Sequence, residues 1–176
     1  MIKTMIVPTD GSVHADKALG LAADLAGKYG ARLVILHALM HNETPGELRS
    51  LCERLGAPAD LVARLDAETE MMVSTMASAY AEVPVIMPLS VELLEAIGQF
   101  VCDKARETAR QHGAGDVAVQ IVNGAPAASV LAAAEHEKAD MIVMGSRGLG
   151  RLEGLLLGAV SQRVNHVAKC TCVTVK

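Results

Sequence analysis

The sequence has very few aromatic side chains: among 176 residues there is no Trp, one Phe and two Tyr. Proteins that bind single-stranded nucleic acids stack bases on aromatic side chains, and this chain has too few to build such a platform. Positive charge is also scarce, because 16 Lys and Arg residues stand against 20 Asp and Glu residues and give a net charge of −4. Since binding to a phosphate backbone needs a positive surface, we expect no nucleic-acid partner.

Long apolar runs are absent as well. No continuously apolar run approaches the roughly 18 residues that suggest a transmembrane helix, so we expect no membrane span. Residues 1–8 lack the basic-then-apolar pattern of a secretory signal peptide, which predicts a cytoplasmic protein whose four cysteines stay reduced. Hydrophobic residues make up 51 % of the chain, enough for a sizeable core. The length predicts a single domain over residues 1–176.

The spacing of apolar residues predicts alternating strands and helices. Predicted strands cover 4–7, 32–38, 117–122, 141–144 and 172–175. Predicted helices follow Ser12 up to Gly30, run from Ser90 to Gly113 and from 126 to 138, and begin near Gly158. Continuously apolar strands are typical of an open parallel α/β sheet with helices on both faces, a Rossmann-like architecture. Ligands of such sheets lie beyond the carboxyl ends of the strands, which points to the loops that start at Pro8, Ala38 and Gly145.

The segment between the second and third strands is longer than one crossover helix requires. We interpret residues 40–89 as a helical insertion, with a short helix around Leu48 to Leu55, a break at 56–58, a longer helix from about 59 to 82, and an apolar tail at 83–88. The longer helix carries an apolar stripe of Leu61, Val62, Leu65, Met72, Val73, Met76 and Tyr80. This stripe either packs on the protein's own sheet or forms part of a subunit or partner interface that also shields the neighbouring loops.

A glycine-rich loop, Gly145-Ser146-Arg147-Gly148-Leu149-Gly150, follows the fourth strand, and 158–161 open the next helix. Glycines let a backbone approach a phosphate, and the free N–H groups of a helix start attract anions, although glycines also serve tight turns. The order of the glycines is not the dinucleotide fingerprint. Arg151 and Leu152 after Gly150 exclude a Walker A loop. Hydride transfer and P-loop chemistry therefore lose their best support.

Catalytic patterns are missing too. The six histidines form no metal-ligand signature, and no Ser, Cys or carboxylate stands at a spacing that specifies a nucleophile or an acid/base pair. The residues therefore predict neither an enzyme nor a metal site built only from protein, and a slow ATPase is the weaker alternative.

Outside residues 40–89 the chain resembles the universal stress protein family. The resemblance rests on residues 7–12 (VPTDGS), His37-Ala38, 139–148 (ADMIVMGSRG) and 155–161 (LLLGAVS). Gly145, Gly148 and Gly158 match the spacing of the G-x2-G-x9-G-(S/T) pattern of the family's nucleotide-binding members. The resemblance implies a sheet ordered 3-2-1-4-5, bound ATP with or without Mg²⁺, a homodimer through the last strand, and a regulatory role in the stress response without fast catalysis.

The resemblance also implies a nucleotide site. It assigns binding to Pro8, Thr9, Asp10, Ala38, Met144, Gly145, Arg147, Gly148, Gly158, Ala159, Val160 and Ser161. Asp10 would hold the adenosine portion, the loop from Gly145 would wrap the ribose and α-phosphate, and 158–161 would take the outer phosphates. Ala159 departs from the pattern because it replaces a Ser or Thr hydroxyl, while Ser161 still offers one.

Two alternatives follow from the residues alone. Asp10 can also cap the turn before Ser12, as most Asp residues in such positions do, and Arg147 is equally suited to be a phosphate partner or a solvated loop residue. In that case the glycine loop is only structural, and the chain is a stress-associated interaction protein that binds no nucleotide.

Overall fold

The computed structural model describes residues 1–78, 88–149 and 157–176. For residues 75–78 only the backbone is described. Strands and helices alternate along these residues. In chain order they are β1 Thr4–Pro8, α1 Val13–Tyr29, β2 Arg32–Ala38, α2 Pro45–Leu55, α3 Ala59–Ser78, α4 Val91–Gln111, β3 Val117–Val122, α5 Pro126–His136, β4 Met141–Gly145, α6 Ala159–Val167 and β5 Thr171–Val175.

The five strands form one parallel sheet in the order β3-β2-β1-β4-β5, which confirms the expected fold. The chain winds outward from β1 in one direction and from β4 in the other, so the switch point lies between these two strands. Their pairing ends at Ile6 and Ile142, although β1 continues to Pro8 and β4 to Gly145. The ladder between them therefore stops short of both carboxyl ends, and the loops that follow leave the sheet on either side of the switch point, where folds of this class have a crevice, called the cleft below.

Helices cover both faces of the sheet, as the sequence predicts. On one face the alanine-rich side of α1 packs with α4 against Met5 and Val7 of β1. On the other face α5 and α6 pack against Ile6 of β1 and against β4. The alternation of Met5, Ile6 and Val7 between the faces is the two-residue period of a strand buried on both sides.

The helix starts follow their capping residues. Ser12 accepts the N–H of Ala15 at 3.3 Å, and Ser90 accepts that of Leu93 at 3.2 Å, which confirms both predicted caps. Glu68 of α3 binds the N–H and hydroxyl of Ser90 at 2.8 and 2.7 Å. This contact ties α3 to the start of α4.

Helices α2 and α3 pack with α4 around a separate apolar cluster, called the α2–α4 cluster below. Its buried members are Leu39, Met40, Leu48, Leu51, Cys52, Leu61, Leu65, Leu89, Leu93, Leu94, Ile97 and Val101. The predicted stripe of α3 is thus covered within the chain as far as Met72, whereas Val73 lies off it and is 61 % exposed. The side chain of Met76, Tyr80 and the tail up to 87 lie outside the described residues.

No helix in the described ranges is both long enough and apolar enough to span a bilayer.

Candidate functional site

The loops after β1 and β4 meet above the cleft through the side chain of Asp10. Its Oδ1 accepts the N–H of Ser12 at 2.9 Å, and its Oδ2 accepts the N–H of Leu149 at 2.9 Å. The neighbouring Thr9 is buried, and its hydroxyl accepts the N–H of Gly11 at 3.1 Å. Asp10 therefore caps its own turn and also joins it to the glycine loop.

Two glycines of that loop are required by packing within the chain. A Cβ at Gly148 would lie 2.4 Å from Oδ2 of Asp10, and one at Gly145 would lie 2.7 Å from the backbone carbon of His14 at the start of α1. Gly158 differs, because a Cβ there would come no closer than 3.4 Å to Ser146. Its φ of −74° suits any residue, so the described chain itself does not require glycine at 158.

Gly158 also brings the start of α6 to the glycine loop, because its N–H donates to the carbonyl of Ser146 at 2.7 Å. Among the residues that the structure describes, no side chain caps α6, and Ala159 and Val160 are exposed in its first turn. Ser161 is buried, and its hydroxyl lies 3.0 Å from the carbonyl oxygen of Ser146 and 2.9 Å from that of Gly158. That hydroxyl hydrogen is thus engaged within the chain.

The other predicted site residues contribute in different ways. Ala38 ends β2 in register with Val122, and Pro8 ends β1; both are half-buried. Met144 is buried in the core beneath α5 and α6, so its side chain is turned away from the cleft loops. Arg147 is exposed, and its carbonyl accepts the hydroxyl of Ser12 at 3.4 Å. Gly150 lies outside the described residues.

Sequence reasoning missed the contribution of α2. Arg54 donates to the carbonyl of Gly11 and lies 3.6 Å from the carboxylate of Asp16. Leu149 packs against the α2–α4 cluster. Together with Arg54 and α2 it lines a cavity of about 470 Å³, whose other residues are Thr44, Gly46, Glu47, Ser50 and Leu51. No local spacing signals these contacts, because Arg54 and Gly11 are 43 positions apart.

The sequence model of the universal stress protein family matches residues 1–176 of the chain. The chain belongs to the universal stress protein family. A universal stress protein of Thermus aquaticus is 32 % identical to it over 179 aligned residues that cover 100 % of both chains.

Two solved universal stress proteins share the fold of this family member. One, in complex with cAMP, is 24 % identical with a TM-score of 0.58 and covers 99 % of this chain and 96 % of its own. The other, from Archaeoglobus fulgidus in complex with dAMP, is 16 % identical with a TM-score of 0.54 and covers 100 % and 98 %.

The charges around the Asp10 turn of this universal stress protein are coupled. Burial raises the pKa of the Asp16 carboxyl, the Arg54 guanidinium opposes that rise, and the negative charge of Asp10 adds to it. The guanidinium therefore offsets the mutual repulsion of two carboxylates. Among the described residues no cluster of three or more His, Cys, Asp or Glu side chains forms a metal site.

His37 supports the Asp10 turn from below. It is fully buried, and its Nδ1 lies 2.9 Å from the carbonyl oxygen of Thr9, to which it donates. Its Nε2 is buried without a hydrogen-bond partner in the described part of the chain. Gly98 of α4 makes room for the ring, since a Cβ there would lie 2.8 Å from Cδ2 of His37. Burial lowers the pKa of His37, which keeps the ring neutral.

Proposed function

We propose that this universal stress protein binds an adenine nucleotide in the cleft between β1 and β4 and acts as a regulatory binding module. The observation that carries the proposal is the end of the β1–β4 ladder at Ile6 and Ile142, beyond which the two following loops are joined at the switch point by Asp10 and Leu149. A crevice at the switch point of a parallel sheet is where ligands of such folds bind.

The chemistry of the cleft suits a nucleotide phosphate. The first turn of α6, which no side chain in the described ranges caps, offers backbone N–H groups and the positive end of a helix dipole, which attract anions. At Gly158 the protein leaves space that a side chain could fill, and a closely approaching ligand is a reason to keep that space empty. The exposed guanidinium of Arg147 supplies a positive charge nearby.

The nucleoside would lie toward β1 and β2. In this proposal Asp10 accepts ribose hydroxyls on lone pairs that its two N–H partners leave free, and Pro8, Thr9, Ala38 and Met144 line the pocket with backbone groups. The complexes of two related folds with cAMP and dAMP support an AMP-type ligand. ATP is the larger ligand we propose for the same site, and Mg²⁺ would neutralise its phosphate charge.

We also propose the architecture around this site. Residues 1–176 form one cytoplasmic domain with 40–89 inserted, and two copies pair through β5. The packing of α2, α3 and α4 around one cluster supports the single domain, and the position of β5 at the sheet edge supports pairing.

A second candidate function is supported by the same loops. Packing alone explains Gly145 and Gly148, and both oxygens of Asp10 and the hydroxyl of Ser161 are already engaged within the chain. On this alternative the glycine loop is structural, and the protein acts through a protein partner without binding a nucleotide.

Mass analysis of the purified, denatured protein for AMP, ADP, ATP and cAMP separates the two functions. Calorimetric titration with AMP, cAMP and MgATP should then give one site per chain, with a Kd between about 1 mM and 1 μM. UMP serves as a control for recognition of the base and should bind more weakly. A protein that carries no nucleotide and gives no heat with any of the three ligands supports the structural loop.

A further inference from the structure

Helix α2, which belongs to the inserted segment, contacts both loops of the proposed nucleotide site. On the β1 side, a Cβ at Gly11 would lie 2.9 Å from Leu51, and the φ of +74° at Gly11 favours glycine there. On the β4 side, Leu149 packs against the α2–α4 cluster. The position of α2 is thus linked to the position of both loops.

Arg54 is the polar part of this contact. A guanidinium presents its N–H groups in a fixed planar fork, so it can hold two acceptors at a defined angle. In Arg54 one N–H group donates to the carbonyl of Gly11, and another lies 3.6 Å from the carboxylate of Asp16 on α1. The side chain therefore bridges the Asp10 turn and the helix that follows it.

One peptide group transmits this contact to Asp10. The carbonyl of Gly11 and the N–H of Ser12 belong to the same planar peptide unit. Arg54 binds its oxygen, and Asp10 Oδ1 accepts its N–H at 2.9 Å. If the unit rotated, Asp10 would lose this N–H partner and change its orientation toward Leu149.

We infer that Arg54 is a positioning residue of the nucleotide site, which fixes the Asp10 turn so that its carboxylate faces both the glycine loop and the ligand. The inference rests on the proposed function and deepens it, because it makes the inserted segment part of the site. Arg54 acts here through the Gly11–Ser12 peptide and does not itself contact the ligand.

Arg49 provides a matched control on the same helix. It pairs with Glu53 at 2.9 Å and with Asp66 of α3 at 3.2 Å, and its side chain is 43 % exposed, against 37 % for Arg54. Its ion pairs lie within α2 and α3. Replacing Arg49 thus removes a comparable side chain without touching the Asp10 turn.

The experiment compares Arg54→Met with Arg49→Met in the full chain. Amide exchange measured by NMR, without nucleotide, reports the N–H groups of Ser12 and Leu149, and calorimetry with AMP reports binding. In Arg54→Met we expect both amides to exchange about tenfold faster and AMP to bind about tenfold more weakly. In Arg49→Met both quantities should match the wild type. A direct contact of Arg54 with phosphate would leave the exchange rates unchanged.

Arg54→Lys keeps the charge beside Asp16 but loses the planar fork, and it replaces Arg54→Met if that variant does not fold. Exchange rates that stay at the wild-type value overturn the inference. Faster exchange with unchanged AMP affinity also overturns it, because the turn would then be fixed for another reason. A wild type that binds no AMP refutes the proposed function instead, and the exchange rates still report whether Arg54 holds the turn.

Discussion

The backbone N–H of Leu149 donates to Oδ2 of Asp10 across 2.9 Å and joins two loops that lie 139 positions apart in the sequence. The donor follows Gly148, whose missing Cβ would collide with the same oxygen atom. The close approach of Gly148 to Asp10 therefore depends on the absence of a side chain. Gly145 and Gly148 are thus explained by close contacts within the chain. Gly158 has no such contact among the described residues, so its missing side chain can be tested as space for a ligand.

Gly158→Ser should change stability and nucleotide affinity in opposite directions. Serine is a better N-cap than glycine, so we expect the free energy of unfolding to rise by a few tenths of a kcal/mol. Its side chain would occupy the space beside Ser146 and bind first-turn N–H groups that the proposal gives to phosphate. MgATP, whose outer phosphates the proposal places at this turn, should then bind at least tenfold more weakly, measured by calorimetry beside thermal unfolding.

Gly148→Ala is the comparison for that variant. Its Cβ collides with Asp10, and overpacking of this kind costs about 1–3 kcal/mol, so stability and affinity should both fall. If Gly158→Ser were more stable with MgATP affinity unchanged, the start of α6 would not hold phosphate.

Ala159→Thr should tighten nucleotide binding. Ala159 is exposed at the first position of α6 and stands where the resembled pattern has a Ser or Thr hydroxyl. A hydrogen bond to a charged group contributes about 1.5–3 kcal/mol, so the Kd for MgATP should fall at least tenfold. Ala159→Val has nearly the same shape without the hydroxyl and should not tighten binding. Equal affinities for the Thr and Val variants would contradict the assigned role of this position.

Hydrolysis of MgATP should be slow. Asp10, the carboxylate at the junction of the two loops, already accepts two backbone N–H groups, and the sequence offers no pattern for a general base. Phosphate release should therefore stay far below the roughly 10 per second typical of enzymes. Turnover near that rate, abolished by Asp10→Asn, would make the protein an ATPase.

The fold was predictable because its signals are local. Apolar runs such as residues 33–36 identify buried strands, and Ser12 and Ser90 mark helix starts by their own hydrogen bonds. The strand order came from the resemblance to a family, since strand periodicity does not specify which strands are neighbours. Asp10 and Gly148 are both predicted site residues, and the structure brings them together. They are close because each lies in the loop that follows one of two adjacent strands.

The role of α2 was not predictable, because it depends on distant contacts. Nothing in the spacing around Arg54 indicates that its partner is the carbonyl of Gly11, and the glycine pattern around Leu149 does not indicate that Leu149 packs against the α2–α4 cluster. The buried state of His37 was equally hidden. It depends on Gly98, 61 positions later, which leaves the space that the ring occupies.

Stability should fall below about pH 6.5 because of His37. Burial lowers the pKa of its imidazole in the folded state, so between that lowered value and the ordinary 6.5 the unfolded chain binds more protons. The free energy of unfolding therefore decreases as pH falls through this window, by at most about 1.4 kcal/mol per pH unit for one group. Urea unfolding between pH 7.5 and 5 measures the slope.

His37→Asn provides the control for this pH dependence. The amide can keep a donor toward the carbonyl of Thr9 but does not titrate, so the variant should be less stable overall and show a smaller slope. An unchanged slope would mean that other groups cause the acid sensitivity.

Thr174→Pro should convert a dimer into a monomer while leaving the sheet intact. The N–H of Thr171 donates to Asp140, and the carbonyl of Val175 accepts from Ser146, so the odd-numbered residues of β5 face β4. By the alternation of a parallel ladder, the backbone groups of Cys172 and Thr174 face the open edge, where a second copy would pair. Proline at 174 removes one edge donor without removing a bond to β4.

Thr174→Ala is the matched control, since it loses only the side-chain contact with Asn165 at 2.9 Å and keeps the N–H. Light scattering at micromolar concentration should give a dimer for the wild type and Thr174→Ala and a monomer for Thr174→Pro. A monomeric wild type, or a dimer that survives Thr174→Pro, would exclude pairing through this edge.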